Sequence, residues 1–391
     1  MDFTFSEEQR AAVEAARAVF SDVAPDSAPS PALTPGAVAE DIDRRLWSEL
    51  ARTDLLGLTL SPDHGGAGLD PIALCLVLRE SAKVLARVPL LESCAVAMAV
   101  QRYGGSAIAA ELLPRAGRGE LILTVGANGR SGHDPAELAV AARPYEENGE
   151  GGGSGASAGG SGWVLDGVQS AVPWAQAADW IAVPAHTAED RPVLALVPRA
   201  RDGVTLADQV STSGERLAEV RLDGVRVTAH ELIDAPGCWE WLRSLLTTGT
   251  CALALGLGER VLAMTAEYTG KREQFGFPVA TFQAVAVQAA DRYIDLRAME
   301  ATLWQAAWRI SSDAGGPLPT AGDVAVAKIW ASDGVRRVVQ TAQHLHGGFG
   351  ADTDYPLHRF HAWAKQIELS LGPAAAHEEA LGDLLAAHPL G

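Results

Sequence analysis

The chain has 391 residues and carries 31 Lys+Arg against 49 Asp+Glu, a formal charge of −18. That length allows two or three domains, or one with an ample core, while the acidic balance argues against a nucleic-acid partner, which needs clustered Lys and Arg to neutralise phosphates. Four widely spaced cysteines, Cys75, Cys94, Cys238 and Cys251, show neither zinc-ligand spacing nor a disulfide framework, so no metal site is expected and a reduced, cytoplasmic setting is the default reading.

In chain order, the acidic N-terminus lacks the basic and apolar regions of a secretory signal. Ser6 with Gln9 three residues later reads as a capping box opening a helix, with Ala11, Val13, Ala16, Val19 and Phe20 at helical spacing. Pro25, Pro29, Pro31 and Pro35 are too dense for a helix and predict a loop. Helical periodicity returns over 42–53 and 71–85, around a turn at Pro62-Asp63-His64-Gly65-Gly66-Ala67-Gly68 whose glycines demand open backbone angles.

Near residue 119 the texture changes. Short β-type runs (121–125, 138–140, 163–165, 180–183, 193–197 and 219–222) are bounded by Gly, Pro and Asp. Residues 149–162 are glycine-rich but lack the Gly-Lys-Ser/Thr ending of a phosphate loop, and predict a flexible hairpin tip. From Cys238 onward long Ala/Leu/Val-rich segments (239–271, 282–312, 320–345 and 372–387) predict a helical bundle. The longest apolar run, Thr250 to Leu262, is interrupted by Gly256, Gly258, Glu259 and Arg260 and reads as a buried helix, not a membrane span. The expected organisation is mainly α with a middle β domain: residues 1–118 helical, 119–236 β, 237–391 helical. No short internal repeat is present.

Two patches carry chemistry. In Arg272-Glu273-Gln274-Phe275-Gly276-Phe277-Pro278, followed by Thr281-Phe282-Gln283, Arg272 offers a planar fork suited to a phosphate, Phe275 can support a flat ring, and Gln283 both donates and accepts. In His344-Leu345-His346-Gly347-Gly348-Phe349-Gly350, the glycines let a ligand approach the backbone. Taken singly, Arg272 is more often a surface ion-pair residue and Gly347-Gly348 commonly a helix C-cap. His344 and His346, two apart, cannot share a ligand face of a helix.

Together, Arg-x-x-Phe-Gly-x-Pro, then Phe-Gln, then Gly-Gly-x-Gly with Tyr355-Pro356 a few residues on, resemble the acyl-CoA dehydrogenase family. The resemblance spans nearly the whole chain, from Phe5-Ser6-Glu7-Glu8-Gln9 through the early glycine loop to Gly162-Trp163-Val164-Leu165-Asp166-Gly167. It implies an N-terminal helical domain, a β-barrel-like middle domain and a C-terminal four-helix bundle. It also implies FAD, an acyl-CoA thioester substrate, and α,β-dehydrogenation in which a glutamate takes the α proton while the β hydride passes to the flavin.

This sequence departs from that pattern where the chemistry should be. The family's base normally precedes the glycine that is Gly372 here, and the residue there is Leu371. Members with the base on an earlier helix carry it near Leu246, again not an acid. Glu259 and Glu368 remain as displaced candidates, Glu368 one helical turn from Leu371, although a solvated helix-face carboxylate explains Glu368 as well. The first middle-domain strand reads Leu123-Thr124-Val125-Gly126-Ala127-Asn128 instead of ending in Thr-Glu-Pro, and the next flavin-contacting stretch reads Ser170-Ala171-Val172-Pro173. A substrate-holding arginine corresponds to about Thr247, and the usual glutamine before Gly-Gly is His344.

What is kept (Arg272, Phe275, Gln283, Gly347 and Gly348, with His344 beside them) resembles the elements that reach across a subunit interface to a neighbour's FAD. The resemblance therefore implies a subunit of a heteromeric enzyme, α2β2, like the glutamate-less subunit of actinobacterial heteromers whose substrates include steroid side-chain thioesters. A sibling acyl-CoA dehydrogenase subunit is its expected partner, and an electron-transfer flavoprotein a further one. Two alternatives stay open: a self-sufficient homo-oligomeric flavoenzyme, with a displaced base or acting as a monooxygenase, and a non-catalytic scaffold.

Overall fold

The computed structural model describes residues 4–31, 34–39, 42–132, 134, 136–146 and 161–389. The predicted glycine-rich hairpin tip, save for residues 161 and 162, lies outside them. Helix α1 (Glu7–Phe20) opens with the expected capping box: the Gln9 amide donates to Ser6 Oγ at 3.1 Å and the Ser6 amide to Gln9 Oε1 at 2.9 Å. Its apolar stripe, Ala12, Ala16 and Phe20, is buried and faces α3 (Pro71–Ala82). Asp43 caps α2 (Arg44–Arg52) by accepting from the Leu46 amide, and Asp70 caps α3, which starts on a proline at its first turn. Helices α4 (Leu90–Tyr103) and α5 (Ser106–Gly117) complete this part, and among its described residues the proline-dense stretch forms a 3-10 turn over Pro25–Ser27.

Strands follow: β1 (Leu123–Val125), β2 (Val140–Glu146), β3 (Ser161–Pro173), β4 (Trp180–His186), β5 (Pro192–Pro198), β6 (Val204–Val210), β7 (Arg216–Thr228) and β8 (Leu232–Ile233). They share one sheet in the order β6-β7-β3-β2-β4-β5-β8, with β1 parallel to β4. β3 carries two register shifts against β7, one between Gln169 and Val172. A bulge of this kind re-aims side chains, and it lies at the predicted flavin-contacting stretch. The sheet's inward residues, among them Val140, Leu165, Val183, Val197 and Val220, form a core of their own.

The remainder is helical: α6 (Cys238–Lys271), a short hairpin of β9 (Glu273–Gln274) and β10 (Phe277–Pro278), α7 (Gln283–Ser312), α8 (Thr320–His346), α9 (Leu357–Leu369) and α10 (Ala374–Ala387). Helices α6, α7 and α8 pack on one another, α10 lies on α8, and α9 packs against α8 and α6. By length and hydropathy α6 could cross a bilayer, but 78% of its most apolar window is buried inside the protein, as expected of a core helix. Gly256 permits a close approach to α3: a Cβ there would lie 1.9 Å from the Arg79 carbonyl oxygen. Beside that crossing, Arg79 pairs with Glu259 and, at 3.2 Å, with Glu300, so α3, α6 and α7 are joined by charge as well as by packing. The large apolar core runs without a break from α1 to α9 and includes β1.

Candidate functional site

A cavity of about 640 Å³ opens where α3, α4, the bulge of β3, the turn from β6 to β7, α6 and the end of α9 meet. Leu371 lines it. Just past the last turn of α9, Leu371 takes φ of +58°, is 6% exposed, and its carbonyl accepts from His377 Nε2 at 2.9 Å. Lys328, wholly buried on α8, fixes the approach to that turn by donating to the carbonyls of Ile367 (3.0 Å) and Glu368 (3.1 Å). Ser332 adds a third bond, to Glu368 O at 3.1 Å. Leu246, on α6, lines the same cavity and is buried. Both positions that the resemblance marks for the base therefore look into one space, and both bear aliphatic side chains that cannot take a proton.

The displaced candidates point elsewhere. Glu368 does not line the cavity; its carboxylate meets Lys365 Nζ at 3.1 Å. Glu259 belongs to the Arg79 cluster, and Thr247 is buried with its hydroxyl bonded to Arg243 O at 2.8 Å. Two acids do line the cavity: Glu215, held by Arg87 at 2.7 Å, and Glu92 of α4, which has no charged partner among the described residues. Burial pushes the Glu92 carboxyl up to about 7, against hydrogen bonds from its own amide and the Trp174 indole. Sequence reasoning missed Glu92. The available signal was a lone acid inside the otherwise apolar run Leu90–Ala99.

In the wall formed by β3, the bulge holds Ala171 at φ of +51°, and Trp174, just past the strand, is at +58°. The Ala171 amide is already used: it donates to Gln209 Oε1 at 2.8 Å, and Gln209 Nε2 donates to Ser170 Oγ at 3.2 Å. Thr124 Oγ donates to the Pro173 carbonyl at 2.6 Å. Groups expected to face a flavin are thus satisfied from within the chain.

The second predicted patch is far more open. The Arg272 amide closes α6 by donating to Tyr268 O at 2.8 Å. Phe275 and Gly276, at φ of +57° and +80°, then form a two-residue turn between β9 and β10 of the hairpin kind that needs both central residues left-handed. A non-glycine residue there is strained, and the turn presents Phe275 with 91% of its surface exposed. Arg272 and Gln283 are exposed. The second glycine loop lies at the same end of the bundle, because Tyr268, one turn before Arg272, stacks on His346 (4.4 Å between ring centres) and on Phe349 (5.2 Å). His344 faces solvent, whereas His346 is buried between Ala342 O (2.8 Å) and the Tyr355 hydroxyl (3.1 Å). Gly347, at φ of +60°, and Gly348 are exposed, with no atom within 4 Å of where a Cβ would sit. Arg272, Phe275, Gln283, His344, Gly347 and Gly348 thus share an exposed end, and none lines the cavity.

Comparison with known proteins identifies the family. Residues 6–120 match the family described as acyl-CoA dehydrogenase, N-terminal domain, and residues 246–385 match acyl-CoA dehydrogenase, C-terminal domain. Among curated proteins the chain is similar to acyl-CoA dehydrogenase FadE27 of Mycobacterium tuberculosis, with 35% identity over 89% of each chain. It is also similar to FadE28 of the same organism, with 33% identity over 56% of this chain and 61% of the relative. Among solved structures it resembles a chain of the ChsE4-ChsE5 complex from Mycobacterium tuberculosis (TM-score 0.87, 33% identity, all of both chains). A variant of the Tcur3481-Tcur3483 steroid ACAD is similar too (TM-score 0.85, 35% identity, 97% of this chain and 98% of that one).

Proposed function

The chain belongs to the acyl-CoA dehydrogenase family, and on that premise we propose that it is the subunit of a heteromeric, FAD-dependent acyl-CoA dehydrogenase that completes a sibling's flavin site without a working site of its own. The observation that carries this reading is the pair Leu371 and Leu246, both facing one cavity and both unable to act as the base. A flavin there would accept the β hydride, but the α proton would have no acceptor at either family position. The Ala171 amide, already donated to Gln209 Oε1, and the loss of Thr-Glu-Pro after β1 point the same way. The exposed end of the bundle fits the complementary role. Arg272 would pair with the pyrophosphate, Phe275 would cover a flat ring, Gln283 and His344 would bond polar edges, and Gly347 and Gly348 would let the cofactor lie against the backbone.

The partner is a sibling acyl-CoA dehydrogenase subunit carrying the glutamate, in an α2β2 assembly, with an electron-transfer flavoprotein as the acceptor of its electrons. Support comes from similarity to the ChsE4-ChsE5 complex and to the Tcur3481-Tcur3483 steroid ACAD, and the second of these also favours a steroid thioester as substrate. The test is expression with and without the sibling. The assembled complex should retain half as many flavins as chains and turn over acyl-CoA, and the chain alone should do neither. One flavin per chain, with turnover by the chain alone, would favour the self-sufficient enzyme. That second reading has one observation behind it, the Glu92 carboxyl in the cavity, and would require Glu92→Gln to abolish the turnover.

A further inference from the structure

Most polar groups in the cavity wall are bonded within the chain, and Asn128 Oδ1 and Trp363 Nε1 are the buried wall atoms left without a partner among the described residues. Thr250 Oγ donates to Leu246 O at 2.9 Å, Ser81 Oγ to Leu78 O at 2.8 Å and Ser370 Oγ to Gln366 O at 2.8 Å. Of the ionisable wall residues, Glu215 is held by Arg87 at 2.7 Å and Arg216 by Asp208 at 2.9 Å. Glu92 is the exception. It has no charged partner among the described residues, only the Trp174 indole and its own amide. Protein interiors rarely leave space on this scale unfilled, and about 640 Å³ is the size of a site for a small organic molecule.

We propose that this cavity binds an uncharged, mainly hydrocarbon molecule bearing a hydroxyl or carbonyl oxygen, which pairs with the Glu92 carboxyl, and performs no chemistry on it. The inference rests on the reading of the chain's own site as non-catalytic. Leu78, Leu91, Val125, Leu246 and Leu371 supply apolar contact along the hydrocarbon. Glu92, whose carboxyl burial raises to about 7, donates in its protonated form to a carbonyl or hydroxyl oxygen. A carboxylate ligand is disfavoured, since its charge would leave water for an apolar wall whose one basic residue among those described, Arg216, is already paired with Asp208. An ammonium gains an ion pair but loses about as much by leaving water.

The experiment uses the full chain, with N-phenyl-1-naphthylamine as an uncharged fluorescent probe and n-dodecanol, n-dodecanoate and n-dodecylamine as competitors at pH 7. The probe should saturate at a single site per chain, and dodecanol should displace it at a concentration about tenfold lower than either charged analogue. Leu246→Trp, which fills the cavity, should abolish probe binding. Glu92→Leu, which removes the O–H donor, should weaken displacement by dodecanol and remains informative if the tryptophan variant does not fold. No saturable site, equal displacement by all three competitors, preference for the amine, or undiminished displacement by dodecanol in Glu92→Leu would each overturn the proposal. Flavin absorbance recorded on the same samples separates this from the reading beneath it: a flavin in every chain with turnover sinks the non-catalytic site, whereas a flavin-free chain that ignores the probe sinks only the ligand.

Discussion

A carboxylate placed at position 371 would enter a wall made by Leu246, Ile367 and Leu369, where the one basic residue described, Arg216, is already paired with Asp208. Leu371→Glu restores the residue type that the family pattern expects, and general-base catalysis commonly contributes about 10²–10⁴-fold. The chain alone is nevertheless expected to show no acyl-CoA dehydrogenation with an artificial electron acceptor, because the flavin-facing groups near Ala171 and Pro173 are absent or internally bonded, so orientation is missing as well as the base. The new side chain should instead rise in pKa, and turnover without a partner would show that only the base had been lost. Arg272 is the converse case, a residue whose side chain stands exposed at the end of the bundle. Arg272→Ala should leave stability unchanged within about 0.5 kcal/mol while each charge-assisted bond lost to a pyrophosphate weakens flavin retention by roughly 1.5–3 kcal/mol. Flavin remaining per chain after matched dilution of the assembled complex measures it, and equal retention in both proteins would return Arg272 to surface chemistry. Arg272 and Leu371 were legible because each stands at a fixed distance from a glycine that marks a turn. Glu92 and Trp174 were not, since only the folded chain brings residues this far apart into contact.

At the scale of elements, long helices with an apolar face were legible to within two residues: 239–271 is observed as Cys238–Lys271 and 320–345 as Thr320–His346. β6 was not, because it is an edge strand whose Thr205, Asp208 and Gln209 dilute the alternation that identifies a strand, and tertiary pairing with β7 is what makes it one. Its polar residues nonetheless matter, for Gln209 closes the β3 bulge. The end of α9 shows a different dependence on the fold. Lys328 of α8 reaches its last carbonyls from another helix and supplies the cap. Burial holds that ammonium down to about 8, from an ordinary value of 10.5. A lysine whose folded pKa is depressed weighs against folding while charged, fully below about 8, and the penalty fades as the pH rises towards 10.5. Wild-type stability measured by denaturant unfolding should therefore climb relative to Lys328→Met across that window, by on the order of 3 kcal/mol. A constant difference would mean that the ammonium is better solvated than its burial suggests. The same variant should speed amide exchange around residues 369–372, where the turn bearing Leu371 would lose its anchor.

The molecule as a whole displays its unburied apolar residues unevenly. Of the six large apolar side chains more than half exposed among the described residues, Phe275, Phe277, Val287, Tyr293 and Ile294 lie on the hairpin after α6 or on the first half of α7, and Val210 lies on β6. From Gln283 to Ile294 that helix has no buried residue at all, while from Asp295 onward it enters the core. A helix that leaves an apolar stripe in water for about three turns is stable only because its second half is packed, and such a stripe marks a surface that another chain covers. This could not be read from the sequence, where a stripe facing a partner has the same period as one facing the core. The surface also adjoins Arg272, Phe275 and Gln283, so assembly and flavin binding should fail together if the cofactor spans the interface. Ile294→Asp tests the coupling. Ile294 is 62% exposed, so the substitution should change the stability of the isolated chain by no more than about 0.5 kcal/mol. Buried against a partner, the same carboxylate would be desolvated without a counter-ion, at a cost of several kcal/mol. Sedimentation should therefore show a folded chain that no longer assembles with its sibling, and the flavin should be lost from both. Loss of assembly with flavin retained in full would place the cofactor within one chain, and an intact complex formed by the Ile294→Asp variant would free this surface of any role in association.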